Sequence, residues 1–216
     1  MDDARRLVRH GAPSGSVVVT DYQRAGRGRR AGRSWHSSPG ESLLFTVALH
    51  RPPDPVTRSL VMAAAVVRIL DELGLYAEVK WPNDVLVQGR KMCGILADHE
   101  NDWLYLGVGI NLRQQRFPPE LASTATSAAI EAGDASRLPD RDDLLVALLE
   151  RYRACEPAWH AILSERLWKK GQRVEVVLPY GPTLSGRLAG IAEDGRLLID
   201  AGDIHRLAAG EVSLGR

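Results

Sequence analysis

Only two cysteines, Cys93 and Cys155, occur in the 216-residue sequence, and they form no close-spaced pair. No disulfide framework is expected, and a reducing, cytoplasmic setting is the natural reading. No apolar run approaches the roughly 18 residues that a membrane span needs, so no membrane partner is expected. The N-terminus MDDARRLVRHG opens with acids and has no apolar stretch, so it does not read as a signal peptide. Asn-X-Ser/Thr is absent. So are GxSxG, HExxH, CxxC and the Walker A lysine pattern, which removes the common nucleophile, zinc and P-loop signatures. The six histidines are scattered, and no protein metal site is expected. Formal net charge is only +1, too little for a broad nucleic-acid surface, so DNA is not an expected partner.

Hydrophobic residues make up 44% of the chain, enough for a sizeable core. The length suits one full domain, or one domain with a small appendage. Ala4 to His10 reads as a short helix stopped by Gly11, and Val17 to Thr20 as a β-branched strand. Leu43 to Leu49 is nearly all apolar and reads as a strand buried on both faces. Asp54-Pro55 predicts the start of a helix carrying Leu60, Ala63, Val67 and Leu70 on one face, closed by Gly74. Short strands follow over 77–80, 85–87, 92–96 and 103–110, with a hairpin turn at Gln88-Gly89; Asp140 caps a second long helix. The expected fold class is α/β (α+β), a mixed sheet with packed helices. After Trp168 the chain turns to short strands separated by turn signals, which predicts a small C-terminal barrel. The division is placed at 1–167 and 168–216, with the break between Glu165 and Lys170.

Three stretches carry chemistry. The first runs from Gln23 to Trp35 and interleaves Gly26, Gly28 and Gly32 with Arg24, Arg27, Arg29, Arg30 and Arg33. Glycines bring backbone N–H groups to an anion, and guanidinium forks match phosphate oxygens. A Gly/Arg nucleic-acid segment or a solvated basic loop would read the same way. The second joins Lys80-Trp81-Pro82-Asn83-Asp84 to Arg90-Lys91-Met92-Cys93-Gly94. Lys91 follows the hairpin turn, where its ammonium could meet a carboxylate and a phosphate together; the bland alternative is a solvated hairpin lysine. The third is Gly107-Val-Gly109-Ile-Asn111, whose alternate glycines allow a close approach. Cys93 sits in an apolar strand and reads as packed rather than nucleophilic. Trp159 and Trp168 read as core or domain-junction residues.

Taken in order, GRGRR…GRSW, KWPNDV, RKMCGIL and GVGINL resemble the biotin protein ligases (biotin–acetyl-CoA-carboxylase ligases). Ala125-Thr126-Ser127 and the final GRLAGIAEDGRLLID…LAAGEVSL agree, so the resemblance spans nearly the whole chain. It implies a catalytic domain related in fold to class II aminoacyl-tRNA synthetases and lipoate ligases, plus an SH3-like C-terminal barrel. It also implies ATP, Mg²⁺ and biotin as cofactors and substrates, with biotinyl-5′-AMP as intermediate. The acceptor would be a lysine on a biotin carboxyl carrier protein. Lys91, Arg27 and Arg29 take the catalytic roles, with Lys91 bridging biotin carboxylate and α-phosphate. Gln23, Gly26, Gly28 and Gly94 join those three around biotin. Arg30, Arg33, Trp35, Asn83, Asp84 and Asn111 fall on the ATP and adenylate side. The arginine loop is expected to close over the adenylate. A homodimer joined at a sheet edge is an option that the resemblance leaves open.

The sequence departs from the family pattern in three places. The Ser-Thr-Asn segment that usually precedes the first helix is missing, which leaves part of the biotin pocket unaccounted for. Ala31 is an extra residue in the arginine loop, and Ala97-Asp98 stands where a glutamate is usual. No N-terminal helix-turn-helix is seen, so repressor function is not expected. Two alternatives remain open at this point: a lipoate–protein ligase, and a biotin-binding homologue without turnover.

Overall fold

The computed structural model describes residues 1–29, 34–179 and 181–214. In chain order the first part contains α1 (Asp2–Arg9), β1 (Ser16–Thr20), β2 (Gly26–Arg27), β3 (Ser34–Trp35), β4 (Ser42–His50) and α2 (Arg58–Glu72). Then come β5 (Ala77–Lys80), β6 (Asp84–Val87), β7 (Arg90–Glu100), β8 (Trp103–Asn111), α3 (Ala128–Ala132), α4 (Arg141–Cys155) and α5 (Trp159–Glu165). The C-terminal part adds β9 (Arg173–Val177), β10 (Leu184–Ile191), β11 (Leu197–Asp200), β12 (Ile204–Leu207) and β13 (Glu211–Leu214). The main sheet has the order β1-β4-β8-β7-β6-β5. All of its ladders are antiparallel; among the described residues, parallel pairing occurs in two isolated bridges, Val79 with Leu167 and Lys91 with Ala125.

The two faces of this sheet have different fates. Leu104, Leu106, Val108 and Ile110 of β8 point inward and are buried against α2, which is apolar on nearly every side. The alternate residues Tyr105, Gly107 and Gly109 point outward. Tyr105 is covered by α1 through Ala4, and Arg5 lies over its ring while pairing with Asp98 and Glu100 at 2.6 Å each. Beyond α1 that face ends in glycine, and there the functional cleft opens.

Two helix limits follow from local chemistry. Asp54 has φ +46°, so Asp54-Pro55 does not start α2 as the sequence suggests. Thr57 donates to the Asp54 carbonyl in a turn at 3.0 Å, and the helix begins at Arg58. Asp140 does cap α4, accepting from the Asp142 amide at 2.9 Å. The hairpin turn between β6 and β7 takes positive φ at both Gln88 and Gly89, as a tight primed turn requires.

The second sheet, β12-β11-β10-β9-β13, is antiparallel and lies against α5 and α2. The linker runs beside β5: the Val79 amide donates to Arg166 at 2.7 Å and the Trp168 amide to Val79 at 3.0 Å. Trp81 Nε1 donates to the Gly195 carbonyl at 3.0 Å in a buried contact. Gly195 has φ +82°, and a Cβ there would stand 3.0 Å from a Leu60 methyl, so this turn fits only as glycine. Val174, Val176, Leu188 and Ile199 belong to the same buried cluster as α2 and the main sheet.

Candidate active site

A cleft of about 480 Å³ opens between the end of the main sheet, the arginine loop and β13. Gly94 and Gly109 are register partners on β7 and β8 and lie beneath Trp35, whose ring forms the floor of the cleft there. The Trp35 indole lies on both: a Cβ at Gly109 would stand 2.8 Å from it, and one at Gly94 would stand 3.0 Å away. Side chains on these strands would exclude any flat ring from this place. Trp35 Nε1 is buried there with no hydrogen-bond partner among the described residues.

Lys91 reaches the same floor because of a bulge. Val85 pairs with Cys93 and Leu86 with Lys91, so Met92 is the extra residue on β7. Met92 and Cys93 both turn into the core, while Lys91 and Gly94 share the outer face. In a regular strand, residues three apart would point to opposite faces. The Lys91 backbone is fixed on its other side: its amide donates to Thr124 at 2.7 Å and its carbonyl accepts from Thr126 at 2.9 Å. Its Nζ stands 2.7 Å from Asp84 Oδ1, a close ion pair. The ammonium is also 5.8 Å from the centre of the Trp35 ring.

Of the residues singled out in the sequence, Gly28, Arg29, Trp35, Asn83, Asp84, Lys91 and Asn111 line the cleft. Arg29 Nη2 donates to the Gly210 carbonyl at 2.5 Å and so ties the loop to the C-terminal sheet. Asn111 is buried with its amide occupied: Nδ2 donates to Thr126 at 2.9 Å and Oδ1 accepts from Gln114 at 3.1 Å. Asn83 likewise donates to the Ile95 carbonyl at 3.0 Å. Both asparagines therefore act first as scaffold. Arg27 points away from the cleft and pairs with Asp2 at 2.7 Å. Gln23 and Gly26 also stand off the cleft wall, with the Gln23 amide against Gly26 in the β2–β3 ribbon. Gly94 is beneath Trp35. Arg30 and Arg33 lie outside the described residues. Burial pushes the Cys93 thiol well above the usual range, consistent with a packed rather than reactive cysteine.

The cleft also takes residues that the sequence reading did not select. Lys80 and Trp168 close one side, Phe117 and Leu121 form an apolar wall, and Glu211 enters from β13. Lys80 sat inside a motif already noted. The others come from distant segments and carry no local signature.

Residues 5–112 match the sequence profile of the "Biotin/lipoate A/B protein ligase family", and residues 170–215 match the "Biotin protein ligase C terminal domain". The chain is 34% identical to a biotin–[acetyl-CoA-carboxylase] ligase of Mycobacterium tuberculosis, over 87% of this chain and 74% of that protein. The chain belongs to the biotin protein ligase family. A bifunctional ligase/repressor of Bacillus subtilis is 33% identical, over 98% of this chain and 70% of that protein. Among solved structures, a biotin protein ligase of Aquifex aeolicus in complex with biotin and ATP superposes with a TM-score of 0.84. The identity is 28%, covering 98% of this chain and 94% of that one. The fold expected from the resemblance, an α/β catalytic unit followed by a β domain, is the ligase fold.

Proposed function

We propose that this biotin protein ligase activates biotin with ATP in the cleft around Lys91 and passes the acyl group to a lysine of a biotin carboxyl carrier protein. The observation that carries the reading is the bulge at Met92, which leaves Lys91 on the face of Gly94 and in the cleft. In the first step a biotin carboxylate oxygen attacks the α-phosphorus of ATP. The bond from that phosphorus to the bridging oxygen breaks, and pyrophosphate leaves. Lys91 sits where it can neutralise the charge that develops on the α-phosphoryl oxygens. Asp84 holds the ammonium at the ready and gives it up to the more highly charged substrate. Arg29 neutralises phosphate from the loop side. In the second step the acceptor amine attacks the acyl carbon and AMP leaves, with no covalent enzyme intermediate.

Mg²⁺ travels with ATP and supplies charge neutralisation. No group of three potential ligands that could form a metal cage is found among the described residues. An ion held chiefly by phosphates and water would need only one or two carboxylates, and Asp84 is one that lines the cleft. Arg27, Gln23 and Gly26 keep their expected roles only through loop movement, since Arg27 now engages Asp2. We assign the catalytic unit to residues 1–167 and the C-terminal unit to 168–216. The reducing, ATP-rich cytoplasm suits the reaction, and no helix among the described residues is long and apolar enough to cross a membrane. Strand β1 forms one end of the main sheet and offers the edge for a homodimer.

Mass spectrometry of a carrier domain incubated with the chain, ATP and either biotin or lipoate tests the reading. Biotin should be added to one lysine and lipoate should not. Lipoate addition without biotin addition would reverse the assignment.

A further inference from the structure

We infer that Glu131, on α3, is a positioning residue for Lys91, and that its buried carboxylate clamps the bridge that holds this lysine on the side β8 leaves open. Lys91 carries the proposed adenylation, and the assignment of Glu131 rests on that reading.

The need for a clamp comes from the strand pairing. The ladder between β7 and β8 starts at Cys93 and Ile110, beyond Lys91. On the other side the bulge at Met92 interrupts the ladder with β6. Lys91 therefore sits where its strand is least supported. Residues 124–126 take the place of a strand on the open side. The Lys91 amide donates to the Thr124 carbonyl at 2.7 Å, and the Thr126 amide donates to the Lys91 carbonyl at 2.9 Å. This segment belongs to no strand and meets β7 through the isolated bridge of Ala125 with Lys91. A short bridge beside a bulge opens readily unless something outside it holds both sides.

Glu131 holds both sides. Its side chain is 2% exposed. Arg90 Nη2, from the residue before Lys91, donates to Glu131 Oε1 at 2.7 Å. The Thr126 hydroxyl, from the residue after Ala125, donates to the same oxygen. One carboxylate oxygen thus receives an arm from each partner in the bridge. Burying a carboxylate is costly unless it is paired and hydrogen-bonded, and its charge makes both bonds strong. The helix itself does not need this charge. Ser127 already caps α3 by accepting from the Ile130 amide at 3.2 Å, and the Ala129 amide anchors it to the Leu112 carbonyl at 2.8 Å. Neither Glu131 nor Arg90 lines the cleft, whereas Lys91, Thr124 and Ala125 do. The clamp therefore acts from outside the cleft, through the backbone, and fixes the point from which the Lys91 ammonium reaches in.

Single-turnover formation of biotinyl-5′-AMP tests the clamp, with saturating substrates and well below the melting temperature of every variant. Glu131→Gln keeps the shape and removes the charge that holds Arg90. Its rate should fall roughly ten- to a hundredfold, the effect of a small misplacement at a reaction centre. Biotin affinity by calorimetry should change by less than about twofold, since the loss falls on the transition state and not on ground-state binding. Thr126→Val cuts the second arm and leaves the ion pair, so it carries the test if Glu131→Gln does not fold. It should slow adenylation by about threefold or more. The double variant should lose less than the product of the two single losses, because both act through one carboxylate. Losses that multiply would overturn the shared clamp. A variant that melts lower yet forms adenylate at the wild-type rate would overturn it too, as would weaker biotin binding with an unchanged rate. Amide hydrogen exchange separates the clamp from the ligase reading. In either single variant the Lys91 and Thr126 amides should exchange about tenfold faster or more, while central β8 amides such as Leu106 keep the wild-type rate. A uniform rise, or none, would overturn the clamp. A wild type that makes no biotinyl-5′-AMP, with this exchange pattern intact, would count against adenylation at Lys91 and not against the clamp.

Discussion

Gly109 and Trp35 show at the residue scale how little room the cleft leaves. Gly109→Ala places a methyl 2.8 Å from the indole, so the ring must shift and the floor is raised. Biotin should bind this variant at least about tenfold more weakly, since one well-made contact is worth roughly 1.4 kcal/mol. Calorimetry is the check, and unchanged affinity would mean that the ligand does not use this floor. Cys93 lies just under Lys91, and burial raises its thiol above the ordinary value. Because the folded-state value is raised, its contribution to stability is intact at neutral pH and is lost only as alkaline pH ionises the unfolded thiol. Cys93 should therefore resist alkylation at pH 7.5 until the protein unfolds; rapid labelling of the native state would contradict this burial. The place of Lys91, Asp84, Asn83 and Arg29 along the cleft was legible from residue type and motif. The place of Trp168 was not, because it depends on a contact with Lys80, far away in the sequence.

At the element scale, the main strands were readable from β-branched and apolar runs, the start of α4 from its capping residue and the β6–β7 hairpin from its turn residues. The bulge at Met92 was not, because it exists only in the pairing of β7 with β6. The start of α2 was misplaced for a related reason. Asp54-Pro55 has the composition of a helix start, yet the turn it makes delivers Arg58 to the α4–α5 connection. Arg58 is nearly buried; Nε donates to the Pro53 carbonyl at 2.7 Å and Nη2 to Glu156 at 2.8 Å. That hydrogen bond holds the Glu156 carboxyl below the usual glutamate range. A lowered carboxyl value stabilises the fold above the unfolded-state value, and the gain is lost as pH falls through the folded-state value. Thermal stability should thus drop on acidification below the ordinary glutamate range. Glu156→Gln should melt lower at neutral pH and show a shallower acid decline. An acid limb of unchanged steepness in the variant would remove Glu156 from the explanation.

The whole molecule behaves as two sheets sharing one core. The change of composition near Trp168 marks the second unit in the sequence, but the joint itself is tertiary: Trp81 to Gly195, Arg29 to Gly210, and one continuous buried cluster. Calorimetric unfolding should give a single transition. Trp81→Phe, which leaves the Gly195 carbonyl dry, should lower stability by about 1–3 kcal/mol. A barrel that melts on its own, in wild type or variant, would contradict a shared core. The joint also sets the chemistry, because the arginine loop, the β7 bulge and β13 meet only in the assembled protein. The most direct test of the account is single-turnover formation of biotinyl-5′-AMP from biotin and α-labelled ATP by the wild type and by Lys91→Met. Removal of a preorganised charge at a reaction centre lowers the rate by roughly 10²–10³. The account predicts a loss of that size or greater in a variant that folds normally and still binds biotin. Adenylate formed by Lys91→Met at the wild-type rate would contradict it.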